Sequence, residues 1–196
     1  MPHYWLRRLV HVIALLLLAW MIGDFLRNLE SYAANRTLML RSGAVGLLLL
    51  VASFTCTPLS WLCRWPRVVQ VRRALGLYGF LFISIHLVVY AWLDNAFMLA
   101  LMVRDLGERR AMSVGLLAFA LLIPLVITST TGWERRLGKR WRMLHRLVYL
   151  ALPLSVLHYL WLERDFHRAA WLYAAIVALL LLFRLPVVRQ RLRQNG

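Results

Sequence analysis

The sequence predicts an all-α membrane protein of six transmembrane helices with both termini on the cytoplasmic side. Three observations carry that prediction. Of 196 residues, 62% are hydrophobic, which leaves too little polar surface for a soluble domain of this length. The apolar residues gather into runs of about 20, the length a helix needs to cross the hydrocarbon core. The charged residues fall mostly between those runs, and their sign is biased to one side.

The first span covers about 9–27, within MPHYWLRRLVHVIALLLLAWMIGDFL. This stretch looks like a secretory leader, but it has no clear small-residue cleavage site and runs on to full spanning length. It is therefore read as a retained helix. Spans follow at about 43–63, 74–94, 111–131, 141–162 and 169–185, separated by Gly, Ser, Asn and charged residues. No ten-residue alternation occurs, which argues against a β-barrel. No long hydrophilic segment interrupts the spans, so the chain reads as a single transmembrane domain, 1–196, without room for a soluble catalytic domain.

The formal net charge of +16 raises nucleic acid as a partner. The distribution excludes it: the basic residues sit in short loops between spans, where they set topology. One side holds 16 Lys and Arg against one acid, Glu134, and the other holds eight against seven acids. The basic side is cytoplasmic by the positive-inside rule, so the third and fifth helices both run outward. Two cysteines, Cys56 and Cys63, form no C-x-x-C or C-x-x-C-H pattern, so neither a zinc ribbon nor a covalently attached c-type haem is indicated.

Six histidines divide into two groups. His3, His11 and His167 lie near span ends or in loops and read as wet interfacial side chains. His86, His145 and His158 lie inside spans, where a polar ring costs free energy unless something bonds to it. An ionisable residue at that depth is a functional candidate. His86 stands eight residues before Asp94, and His158 five before Glu163. At 1.5 Å of rise per residue these are about 12 and about 8 Å from the outer ends of parallel helices. Two neutral imidazoles at one level suit bis-histidine ligation of a haem iron. Hydrogen-bonded structural histidines are the alternative. A zinc site usually adds Cys, Asp or Glu, and a proton relay usually carries acids inside the bundle; here the span interiors have almost none apart from Asp24.

His145 lies about 20 Å deeper on the fifth helix than His158 and about 140° away around an ideal helix. Pro153 lies between them and is expected to kink the helix. Fourteen residues before His86, on nearly the same face, stands Arg72. It reads either as a contact to a haem propionate or to iron, or as a positive-inside anchor.

The stretches TPL at 57–59, RRALGLYGF at 72–80, H-L-x-x-Y at 86–90, TST at 128–130, LGKRWRMLHRLVYL at 137–150 and HYLW at 158–161 resemble the MsrQ (YedZ) family. The resemblance is strong over the second to fifth helices and weak at the ends. It implies a haem-binding bundle of the ferric reductase-like kind, shared with NADPH oxidases, in the bacterial inner membrane. It also implies an electron-transfer subunit with no substrate-reducing site of its own. Electrons would come from quinol or a cytoplasmic flavin reductase, pass one or two b-type haems, and leave to MsrP, a periplasmic molybdopterin enzyme that repairs methionine sulfoxide in proteins. The family's haem histidines map onto His86, His145 and His158. FMN is also associated with the family; the inner loops around Arg72, Arg73, Lys139 and Arg140 would offer it phosphate contacts. The competing class is a self-contained ferric or oxygen reductase, which the missing NADPH/FAD domain disfavours.

The charge asymmetry makes a topological prediction. A reporter active only outside the cytoplasm should work when fused after Asp105 and stay silent when fused after Gly138. The opposite pattern would reverse the inner and outer assignments.

Overall fold

A computed structural model describes residues 5–28, 31–162 and 168–184. The described chain is helical and contains no strand. Its helices cluster into two compact units, Met1–Glu108 and Arg109–Gly196. Among the described residues, five helical segments are long and apolar enough to cross a membrane. The protein is a multi-pass membrane protein.

In the first unit, α1 spans Trp5–Arg27 and α2 spans Tyr32–Leu62. A 3₁₀ turn at Pro66–Val71 leads into α3, Arg72–Leu93, and α4 covers Leu99–Glu108. At 31 residues α2 is about 46 Å long, well over the hydrocarbon thickness of about 30 Å. It begins eleven residues before the span read from the sequence. Residues 32–42 are too polar to score as membrane-spanning, yet Ala, Leu, Met and Arg there all favour helix. The connection after α3 likewise holds a helix, α4. The α3 end turns through left-handed Ala96 and Phe97, and Phe97 N–H donates to Ala91 O at 2.8 Å. Tyr90 Oη then donates to Asp105 Oδ2 at 2.7 Å, tying α4 to α3.

The packing of α2 on α3 organises this unit. Backbones approach at Gly46 and Gly79. A Cβ on Gly46 would stand 2.6 Å from Ile83 Cγ1, and one on Gly79 would stand 2.9 Å from Leu50 Cδ2. Small residues at helix crossings supply the close dispersion contacts that hold membrane helices together, since lipid removes the hydrophobic drive. Toward the other end of these helices Cys56, Val68 and Val71 form a buried cluster with Leu6, Val10, Leu59 and Leu75 around them. Asp24 on α1 and Arg41 on α2 pair at 2.7 Å, with Arg41 over the Trp20 ring.

In the second unit, α5 spans Arg110–Ile127, α6 Thr131–Leu137 and α7 Lys139–Leu144. A 3₁₀ turn at His145–Leu147 joins α7 to α8, Val148–Leu162, and α9 covers Arg168–Leu182. Gly138, at φ 50 and ψ −118, makes the bend between α6 and α7, a conformation that only glycine adopts cheaply. Trp141 Nε1 donates to Thr128 O at 2.9 Å and fastens α7 to the end of α5. The expected sixth span, 169–185, appears as the 15-residue α9, short of spanning length; residue 185 and the basic tail lie outside the described residues.

Steric exclusion at Gly46 predicts that Gly46→Val forces α2 and α3 apart. Thermal unfolding in detergent should show a loss of about 1–3 kcal/mol, the range for overpacking a close contact. Gly107→Ala, where a Cβ meets nothing within 4 Å, should leave stability unchanged or slightly raised.

Candidate haem-ligand histidines

His86 sits half-buried on α3, and its Nδ1 lies 2.8 Å from the carbonyl oxygen of Met39 on α2. His158 sits half-buried on α8, with Nδ1 2.7 Å from the carbonyl oxygen of Ala111 on α5. A carbonyl only accepts, so Nδ1 is the protonated nitrogen in both rings. Nε2 is then the nitrogen with the in-plane lone pair, the one a metal takes. Histidines that ligate metals commonly donate the other ring N–H to a carbonyl or carboxylate, which fixes tautomer and ring plane.

The two arrangements are built alike. Each carbonyl belongs to a helix packed along the histidine's own helix within the same unit. Each is followed four residues later by a glycine, Gly43 or Gly115. Those glycines lie directly against the imidazoles: a Cβ would stand 2.9 Å from His86 Nδ1 in one case and 2.6 Å from His158 Nδ1 in the other.

His145 is held differently. It opens the 3₁₀ turn between α7 and α8, and its Nδ1 lies 3.2 Å from the carbonyl oxygen of Trp141, one turn back. Its ring stacks on Trp141, centroids 3.9 Å apart and planes 28° apart. Pro153, expected to kink the helix between His145 and His158, lies inside α8, and a 3₁₀ turn at His145–Leu147 is a further departure from regular helix. Three residues at about 120° rather than 100° add roughly 60°, which narrows the angle between His145 and His158 from about 140° to about 80°.

Arg72 opens α3. Its Nη1 donates to Thr57 Oγ1 at 3.2 Å, and its carbonyl accepts from Ser53 Oγ at 2.7 Å. The side chain is thus engaged with α2, in keeping with an anchor at the helix start. Lys139 lines an open recess of about 690 Å³ with Thr131, Glu134, Arg135, Trp141 and Arg142. His11, expected to be wet, instead meets Tyr78 on α3, Nδ1 to Oη 2.9 Å, because its helix packs on the same unit. His3 and His167 lie outside the described residues. Among the described residues, no three His, Cys, Asp or Glu side chains gather as a metal site.

The ferric reductase like transmembrane component family matches residues 10–156. Among curated proteins, the chain is 41% identical over 143 residues to a protein-methionine-sulfoxide reductase heme-binding subunit MsrQ of Caulobacter vibrioides, covering 72% of this chain and 68% of that one. It is 40% identical over 154 residues to the MsrQ of Herminiimonas arsenicoxydans, covering 76% and 70%. The match to the MsrQ of Rhodospirillum rubrum is 39% identical and spans 93% of this chain and 88% of that one. This chain belongs to the MsrQ family. No solved structure matches it.

Sequence reading found the three span histidines of this MsrQ-family chain but missed the carbonyl and glycine half of two of them. A signal was present. Gly43 precedes His86 by 43 residues, and Gly115 precedes His158 by the same 43. Searching for polar residues passes over a glycine, which has no side chain to notice.

Proposed function

We propose that this chain is the b-type haem electron-transfer subunit of a methionine sulfoxide reductase system in the bacterial inner membrane. Electrons enter from quinol or a cytoplasmic flavin reductase and leave to a periplasmic molybdopterin subunit of the MsrP kind. That partner reduces methionine sulfoxide with two electrons and two protons, releasing methionine and water. The observation that carries this reading is the paired state of His86 and His158, each with Nδ1–H on a helix carbonyl and Nε2 as the ligating nitrogen. A bound b-type haem supplies a one-electron ferric/ferrous couple inside the bilayer.

The chain's own residues do the rest. The carbonyls of Met39 and Ala111 fix the tautomer and orientation of both imidazoles, and they raise ligand basicity. Sequence depth assigns His86 and His158 to an outer haem and His145 to an inner one, for two haems per chain at most. Trp141 stacks on His145 and itself hangs from Thr128, so it holds that ring at the inner end. Arg72 serves a propionate, or stays with Thr57 as an anchor. Phosphate contacts for FMN would come from the basic loops around Arg72, Arg73, Lys139 and Arg140, of which Lys139 lines the recess with Arg135 and Arg142. The alternative is a self-contained ferric or oxygen reductase; electron delivery to purified MsrP separates the two.

Purified protein should show a Soret band and sharp b-type bands on reduction with dithionite, and reduced protein should be reoxidised by purified MsrP in the presence of methionine sulfoxide. His86→Ala and His158→Ala should each lose most of the low-spin haem from folded protein, whereas His3→Ala and His167→Ala should keep it. A normal low-spin spectrum with full haem content in His86→Ala would sink the axial assignment.

His145→Ala carries a separate expectation. Gently solubilised protein should fall from near two haems per polypeptide toward one, with the outer low-spin signal preserved. Loss of all haem from well-folded His145→Ala protein would mean that the outer site depends on His145, and the two-level scheme would fail.

A further inference from the structure

Gly43 and Gly115 have no part in the reading above. Both stand where a helix must let an imidazole reach through to a main-chain carbonyl of that same helix. Met39 O and Ala111 O lie one turn before them, on the face the ring approaches. With any side chain at the glycine, the ring and the new Cβ would occupy the same space. The intruding methyl would stand 2.9 Å from Nδ1 and 3.2 Å from Cε1 of His86. At Gly115 it would stand 2.6 Å from Nδ1 and 2.8 Å from Cε1 of His158. An imidazole elsewhere could swing aside at small cost. One held by a carbonyl at Nδ1 and by iron at Nε2 cannot move without losing one of them.

A second observation stands apart from these distances. Moving 72 residues along the chain, without a gap, carries Gly43 to Gly115, Leu50 to Leu122, Trp61 to Trp133 and His86 to His158. Leu50 and Leu122 are both buried. Gly46, where α2 closes on α3, becomes Ala118, and Gly79 becomes Ala151, so small residues recur at these positions too. Two independent packing accidents would not share one offset over the carbonyl, the glycine and the histidine. The chain thus carries one imidazole cradle twice, in the manner of parallel repeats in other membrane proteins.

We infer that Gly43 and Gly115 are positioning residues for axial imidazoles, at matching places in two helix pairs offset by 72 residues. Each glycine sets ring orientation and the strength of the Nδ1–H bond to the carbonyl, and through these the ligand strength at Nε2. The inference rests on the ligand assignment proposed above.

The experiment compares Gly43→Ala and Gly115→Ala with wild type and with Gly46→Ala, which crowds the same helix pair at Ile83 rather than at an imidazole. Haem per polypeptide and the low-spin electron paramagnetic resonance signal are read on protein that elutes as a single species. Gly43→Ala and Gly115→Ala should each lose at least half of the low-spin signal or shift its largest g value. Gly46→Ala should keep both, even where its thermal transition drops. Wild-type spectra in Gly43→Ala and Gly115→Ala would overturn the inference, as would equal spectral damage in Gly46→Ala. His86→Ala and His158→Ala run alongside: if those keep the low-spin signal, it is the ligand assignment that fails. Should an alanine variant not accumulate, wild-type protein labelled with ¹⁵N-histidine decides in the diamagnetic ferrous state. Two axial imidazoles bound through Nε2, with hydrogen-bonded Nδ1–H resonances, support the cradle. Ligation through Nδ1, or Nδ1–H resonances without a hydrogen bond, overturns it.

Discussion

A ring nitrogen donating to a main-chain carbonyl inside a membrane is the contact on which this architecture turns. Hydrocarbon offers no water, so an imidazole within a span must find its partner in protein. Helix carbonyls are already used by the intrahelical ladder, but each oxygen keeps a second lone pair. His86 and His158 both use one. The bond solves two problems together. It satisfies a polar group at depth, and it puts the in-plane lone pair on the opposite nitrogen, Nε2.

That bond is made where two helices pack closely, but the residues that set the packing and those that admit the ring are different ones. In the first unit Gly46 and Gly79 let α2 and α3 approach, and Gly43 then admits the ring three residues from that crossing. In the second unit Ala118 and Ala151 are both buried on α5 and α8, and Gly115 has the same office as Gly43. Lipid-facing positions of these helices are less constrained: Leu48, Val88, Leu117 and Leu150 are all more than half exposed and need only be apolar.

The correspondence does not extend to His145. The 72-residue offset sets Arg73 against His145, so one unit has an exposed arginine where the other has a stacked histidine. His145 takes its carbonyl from its own chain one turn back, through a 3₁₀ turn, rather than from a neighbouring helix. Trp141 stacks on it and is itself bonded to the Thr128 carbonyl, whereas the Nδ1 bonds of His86 and His158 run between helices.

Hydropathy and charge by themselves determined the class, the order of the spans and which three histidines lie within them, because transfer free energy depends on residue type and run length alone. The family motifs at 72–80 and 137–150 were equally legible, being strings of side chains. The polar start of α2 was not, since helix formation there follows propensity and not hydropathy. Nor was the 3₁₀ turn at His145, which Pro153 seemed to make unnecessary; local sequence does not say how a chain divides strain between two places. The carbonyl partners were beyond sequence reading for a deeper reason. Every residue has a carbonyl, and only the register of one helix against another selects Met39 or Ala111. Tertiary structure alone decided that register, because it is fixed by which small residues meet at a crossing, and a glycine reveals its purpose only when the ring that needs its space is seen beside it.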